Sequence, residues 1–162
     1  MTIEADFSKL VGDLDYPMMI VTAAAGGERA GCLVGFATQA SIKPPRFAVW
    51  LSRRNHTLRV AQEADVLAVH FLSSDDAALA TLFGGETGDE VDKFARCRWR
   101  AGPGGAPVLE DCARWFTGRV IEQFPTGDHV GFLLEPLEVA SRPWAGQLDF
   151  QSARHISPGH EA

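Results

Sequence analysis

Ala30-Gly31-Cys32-Leu33-Val34-Gly35-Phe36-Ala37-Thr38, Gln39-Ala40-Ser41-Ile42-Lys43-Pro44-Pro45 and Arg46-Phe47-Ala48-Val49-Trp50-Leu51-Ser52 follow one another as apolar run, punctuation and apolar run. The first run, Ala30 to Thr38, reads as one strand. Its small residues Gly31, Gly35 and Ala37 leave room for another group to approach the backbone. Ser41 to Pro45 is a loop, because two prolines remove two backbone donors and restrict the residue before each. Phe47 to Leu51 is then a second strand, and the pair sets the β character of the chain.

Outward from this stretch the same grammar repeats. Pro17 to Thr22 is a β-rich run, and Ala25-Gly26-Gly27-Glu28-Arg29 is a hairpin-type turn leading into Ala30. Downstream, Asn55 or Thr57 caps a short helix running to about Ala64. Val66 to Leu72 is a strand, apolar except for His70, which reads as a satisfied core or interface histidine. Ser73 with Asp76 makes a capping box opening a helix over Asp75 to Phe83, ended by Gly84-Gly85. Glu86 to Asp92 reads as an acidic surface loop leading into a helical turn around Val91 to Phe94. Ala101 to Pro107 is the most loop-like stretch. Trp115 to Phe124 and Val130 to Leu137 form a hairpin around Pro125-Thr126-Gly127-Asp128. The pattern fades beyond Arg142, and Ser157 to Ala162 looks frayed. About five to seven short strands with isolated helices between them predict a closed or partly closed antiparallel barrel. One domain spans 1–162, with the barrel at about 12–140 and a tail over 141–162.

Charge and cysteine usage narrow the function. Twenty-one acids against 15 bases give a net charge of −6, which disfavours binding to nucleic-acid backbones. Arginines greatly outnumber the lysines Lys9, Lys43 and Lys93. Their planar forks suit carboxylate or phosphate, though surface ion pairs account for most of them. No apolar run approaches the ~18–20 residues that span a bilayer. Glu4 and Asp6, without a basic segment before an apolar one, argue against a signal peptide. Cys32, Cys97 and Cys112 form no C-x-x-C pair and no zinc spacing with a histidine. They read as buried, inert thiols of a cytoplasmic protein.

The sequence lacks a nucleophile elbow, a phosphate loop and an H-E-x-x-H pair, and its five histidines sit at no metal-ligand spacing. No metal is therefore expected, and enzymatic chemistry would belong to a bound cofactor. Two ligand-shaped clusters remain. Phe36-Ala37-Thr38-Gln39-Ala40-Ser41 offers hydroxyls, an amide and small residues over which a flat ring could lie. Ser52-Arg53-Arg54-Asn55-His56-Thr57 gathers hydroxyls and two guanidinium groups at a helix start, a plausible phosphate cradle. Capping and surface charge explain the second cluster equally well on its own. Read as lying at the same ends of neighbouring strands, the two together suggest a planar, phosphorylated ligand.

These residues, with Val21-Thr22, Pro44-Pro45, Val69-His70-Phe71-Leu72, Asp92-Lys93-Phe94 and Gly127-Asp128-His129 in that order, resemble the flavin reductase-like domain family of FMN-binding split barrels. The likeness runs from about Tyr16 to Ala140. It implies a mainly β fold with short helices, a split β-barrel of antiparallel Greek-key type. It also implies an NAD(P)H:flavin oxidoreductase that passes hydride from nicotinamide C4 to flavin N5. The cofactor would be FMN, with FAD as the alternative, and NADH or NADPH the co-substrate. By the same likeness Thr38, Gln39, Ala40 and Ser41 line the isoalloxazine, Phe36 and Ala37 belong to the same cofactor site, and the segment Ser52 to Thr57, with Ser52, Arg53, Arg54, Asn55 and Thr57, binds the ribityl phosphate. Lys93 and Phe94 belong to the cofactor site, and His129 is the catalytic-site histidine beside the nicotinamide. The family implies a homodimer that supplies a flavin-dependent monooxygenase, with no nucleic-acid or membrane partner. Lys43 departs from the acidic residue common before the double proline. Gln39 and Ala40 also differ from the usual serine and valine types. Two other readings stay open: a protein that keeps its FMN for electron transfer or another substrate, and a non-catalytic flavin- or haem-binding module.

Overall fold

Gly26 and Gly27 take φ of +59° and +78°, the left-handed region that a two-residue hairpin turn requires at both positions. They join β1 (Met19–Ala25) to β2 (Glu28–Val34), paired from Ala25↔Glu28 to Met19↔Val34. The computed structural model describes residues 2–85 and 92–156. After β2 the chain does not continue as one strand to Thr38. It bends at Gly35-Phe36 and resumes as β3 (Ala37–Ser41), so the expected strand over Ala30 to Thr38 is two strands. Tyr16 supplies one cause: a Cβ on Gly35 would lie 2.4 Å from the Tyr16 ring. The Phe36 carbonyl meanwhile accepts from Trp50 N–H at 2.9 Å, which turns the chain from β1 toward β4 (Arg46–Ser52).

The remaining elements are α2 (His56–Glu63), β5 (Val66–Phe71), α3 (Ala77–Gly85), β6 (Trp99–Ala101), β7 (Pro107–Leu109), β8 (Arg114–Pro125), β9 (His129–Ser141) and α4 (Phe150–Ala153), with α1 (Ile3–Val11) ahead of β1. Seven strands form one antiparallel sheet in the order β2-β1-β5-β8-β9-β4-β3. This is the mainly β architecture expected from the sequence. Hydrogen bonding does not close it, because β2 and β3 remain edges. Alternation along β1 sorts the core onto two faces. Met19, Val21 and Ala23 point into the curled sheet with Val49, Leu51, Phe132 and Leu134, where α2 adds Leu58, Val60 and Ala61. Ile20 points outward to a second cluster with Phe83, Phe94, Leu109 and Trp115.

Local signals worked where the partner was nearby in sequence. Asn55 caps α2, accepting from Thr57 N–H at 3.0 Å. Ser73 and Asp76 form the reciprocal capping box, although it opens a 3-10 turn, Ser74–Asp76, before α3. Gly84 and Gly85 fall inside the last turn of α3 rather than beyond it. The Ala101–Pro107 loop is instead a tight turn, with Gly104 and Gly105 at φ +65° and +79°, closing the β6–β7 hairpin. The tail is also more structured than expected: Pro17 bridges Asp149 and Ser73 bridges Gln147. Glu86 to Val91 and Ser157 to Ala162 lie outside the described residues. Among those described, no helix is long and apolar enough to cross a membrane.

His70 occupies the junction of the two sheets. Its Nδ1–H donates to the Ile20 carbonyl at 3.0 Å, and its Nε2 accepts from Leu109 N–H at 2.9 Å. A carbonyl can only accept and an N–H only donate, so these partners fix the neutral tautomer with the proton on Nδ1. Buried at 0% exposure, the ring pins the β6–β7 hairpin to the main sheet.

Candidate functional site

The end of β4 and the start of β9 meet at Ser52↔His129. Arg53 fastens the two turns that follow and precede them. Its backbone N–H donates to the Asp128 carbonyl, and its guanidinium Nε to the Gly127 carbonyl, both at 2.8 Å. Arg54 N–H reaches Ser52 Oγ at 3.3 Å, and Asn55 sits at the α2 N-terminus. His129 Nδ1–H donates to Asp128 Oδ1 at 2.7 Å. That bond, with a smaller contribution from the Arg54 charge, holds the Asp128 carboxyl below its usual range. The same bond fixes the His129 ring through Nδ1 and leaves its other nitrogen, Nε2, out of that contact.

Phe36 lies next to this corner. It is 52% exposed, its ring 4.9 Å from the His129 ring and 6.4 Å from Tyr16. From it β3 runs as an edge strand, pairing Ala37↔Val49, Thr38↔Ala48 and Gln39↔Phe47. Thr38, Gln39 and Ala40 are exposed, and Ser41 is half-buried after a bulge. The outer edge of β3 therefore presents backbone donors and acceptors that no strand among the described residues takes. At the far end of β3 a cavity of about 520 Å³ opens, with Gln39 and Ser41 in its wall. Phe47, Phe71 and Phe116 form its floor, with Phe47 packed edge-on against both other rings. Arg46 and Arg114 line it, and no carboxylate of the described residues does. The volume is that of an ordinary small-molecule site.

The two expected clusters do not lie at the same ends of their strands. Antiparallel pairing sets Ser41 opposite Arg46, at the start of β4, whereas Ser52 ends that strand. At the usual strand rise this separates them by about 20 Å. Only Phe36 and Ala37 stand near Ser52. A ligand touching both clusters must run extended along β3.

Three other expected residues are placed elsewhere. Thr57 is 1% exposed; its side chain bonds to the Cys32 thiol and its N–H to Asn55, so both are engaged within the chain. Lys93 is buried at 5% exposure, with Nζ donating to the Gly31 and Phe83 carbonyls at 3.1 and 3.0 Å. Phe94 packs edge-on against Phe83 and Trp99, in the outward-facing core. Lys93 and Phe94 thus brace the back of β2. Conversely, the cavity brings in Phe47, Phe71, Phe116, Arg46 and Arg114, which the sequence reading left out. Their apolar strand pattern marked the three aromatics as core, and nothing local shows that the core ends in a hollow. Tyr16, stacked on Phe150 at 4.7 Å, also borders the site unforeseen.

The chain's sequence matches the model of the flavin reductase like domain over residues 11–152. It is 31% identical to FMN reductase (NADH) RutF of Variovorax paradoxus (strain S110), over 94% of this chain and 84% of that protein. The flavin reductase HpaC, solved in complex with NADP+, superposes with a TM-score of 0.82 at 19% identity, over 93% of this chain and 95% of that one. Nitrilotriacetate monooxygenase component B of Mycobacterium thermoresistibile gives 0.77 at 18% identity, over 86% and 76%. At these identities the two structures speak for the fold alone.

Proposed function

We propose that this chain, which belongs to the flavin reductase-like domain family, hands reduced flavin to a separate monooxygenase and works as a cytoplasmic homodimer. It is an NAD(P)H-dependent flavin reductase, using flavin and a reduced nicotinamide. The observation that carries the assignment is the match of the family over residues 11–152, with Phe36, Ser52 and His129 gathered at one corner of the sheet. The name of the Mycobacterium protein, a monooxygenase component, supports the choice of recipient.

The residues present fit a flavin. The exposed edge of β3 offers the alternating donors and acceptors that the polar rim of an isoalloxazine needs, and the aromatic floor of the cavity suits its apolar rim. Arg54, Ser52 Oγ and Asn55, together at the start of α2, are groups of the kind that hold a phosphate, which supports the end of the ribityl chain lying there. Bound flavin supplies the hydride-accepting chemistry itself. For its part the protein orients the rings, and the fixed backbone N–H groups of β3 stabilise negative charge without moving. In this reading His129, held by Asp128 through Nδ1, orients the nicotinamide.

NADH oxidation should rise and saturate with added FMN, and purified protein should release its flavin on dilution. Turnover that ignores added flavin, with FMN retained through gel filtration, would instead make the protein an FMN-retaining oxidoreductase. His129→Ala should lower kcat/KM for the reduced nicotinamide by ~10–100-fold, since small misplacements cost that much. Its FMN affinity should change far less. Loss of both in parallel would make His129 a flavin ligand or a fold determinant.

A further inference from the structure

Val49, Leu51, Val130 and Phe132 point into the curled sheet. Alternation therefore sends Trp50, Ser52, His129 and Gly131 to its opposite face. The register pairs Ser52 with His129 and Trp50 with Gly131, so Trp50 and His129 are diagonal neighbours there. Such neighbours lie about 7–8 Å apart, a separation that aromatic side chains span.

Trp50 is firmly mounted. Its backbone N–H donates to the Phe36 carbonyl at 2.9 Å, which ties it to the ring that stands against His129. Its indole meets the Phe124 ring edge to face at 5.7 Å. Phe124 in turn fills the space above Gly131, where a Cβ would lie 2.3 Å from its ring. The missing side chain at 131 is what lets Phe124 fold over β9 and brace the indole. Trp50 nevertheless stays half-buried, and its indole N–H makes no hydrogen bond among the described residues. An aromatic surface and a donor thus stand beside His129 without a use in the fold.

The reaction changes the charge of the co-substrate. As hydride leaves C4 for the flavin, the hydrogen and its electron pair pass to the flavin, and the neutral dihydronicotinamide becomes a pyridinium cation. A cation is attracted to the face of an aromatic ring, and to indole more than to phenyl. One face of the nicotinamide must meet the flavin; the other needs a partner on which positive charge can develop. We propose that Trp50 is that partner, a stacking platform beside His129 that holds the nicotinamide more tightly as pyridinium than as dihydropyridine. This rests on the reductase reading and deepens it, because the platform then favours the transition state over bound NADH. Inhibition by NAD+ is the accompanying cost.

Equilibrium dialysis of NAD+ against protein saturated with oxidised FMN reads the platform without turnover. Trp50→Leu should raise the NAD+ Kd roughly 3- to 30-fold, and Trp50→Phe should raise it less. In steady state, kcat/KM for NADH should fall in the same order, while FMN affinity stays unchanged. Singly and then doubly fluorinated tryptophan, incorporated throughout the chain, drains negative charge from the indole face with little change of shape. The NAD+ Kd of the wild type should climb with each fluorine, and that of Trp50→Phe should not. A Kd that neither Trp50→Leu nor fluorination moves overturns the proposal. Loss of FMN and NAD+ affinity in parallel also overturns it, making Trp50 a flavin contact or a fold determinant. A wild type whose NADH oxidation ignores added FMN sinks the reductase reading itself, and the proposal with it, in an assay that involves no Trp50 variant.

Discussion

Between pH 6.5 and 4 the protein should lose about 3 kcal/mol of folding stability through one residue, His70. Burial lowers the pKa of this histidine from 6.5 to about 4, and the bond to the Ile20 carbonyl offsets only part of that. In the unfolded chain the ring takes a proton below pH 6.5. In the folded one burial keeps it neutral until about pH 4, the form in which Nε2 accepts from Leu109 N–H. The unfolded state therefore binds more protons throughout this window, and stability falls as pH falls. Above the window both states are neutral and the effect is absent; below it both are charged and no more is lost. Urea unfolding at pH 7.5, 6, 5 and 4 measures this. His70→Gln, which offers one donor and one acceptor without titrating, should be less stable at pH 7.5 but show a much flatter decline. An equal decline in both proteins would place the acid sensitivity in other groups.

The same histidine shows where sequence reading succeeds and stops. A lone polar residue in the apolar run Val66 to Leu72 reads as a satisfied core histidine, and it is one. Its second partner, Leu109, lies on a hairpin that the sequence presents as a glycine- and proline-rich loop, so the clamp itself was hidden. Legible features were those whose partners sit within a few residues: the Gly26-Gly27 turn, the Asn55 cap, the Ser73 box and the β8–β9 hairpin. Features decided at long range were not. The small residues Gly31, Gly35 and Ala37 suit one strand as well as two, and it is Tyr16, from before β1, that lies against Gly35 and helps bend the chain there. Lys93 carries a charge that sequence statistics place near solvent, but two carbonyls from different elements receive it inside. Helix α1 is not legible because no residue of it is buried among the described residues, so no core contact marks its stripe. Of the candidate site, the residue types are legible in the sequence and the direction in which they run along the strands is not. Antiparallel pairing sets Ser41 and Ser52, which look like parts of neighbouring clusters in sequence, at opposite ends of β4.

That direction separates two neighbouring arginines that the sequence treats alike. Arg54→Ala should weaken FMN binding by roughly 10- to 150-fold, the equivalent of about 1.5–3 kcal/mol for one charge-assisted hydrogen bond to phosphate. Riboflavin, identical but for the phosphate, should bind the variant as it binds the wild type. Arg53 has a different duty, since its Nε and backbone N–H are both bonded to the turn at Gly127-Asp128. Arg53→Ala should loosen the mount of His129 and so raise KM for the reduced nicotinamide as much as it weakens FMN. Binding of both flavins by fluorescence quenching, beside steady-state kinetics, tells the two apart. If Arg54→Ala weakens FMN and riboflavin equally, the phosphate is held elsewhere and the cluster at the start of α2 is a helix cap with surface charge. If Arg53→Ala affects FMN alone, that side chain swings from the turn onto the phosphate, and His129 is held by Asp128 without it.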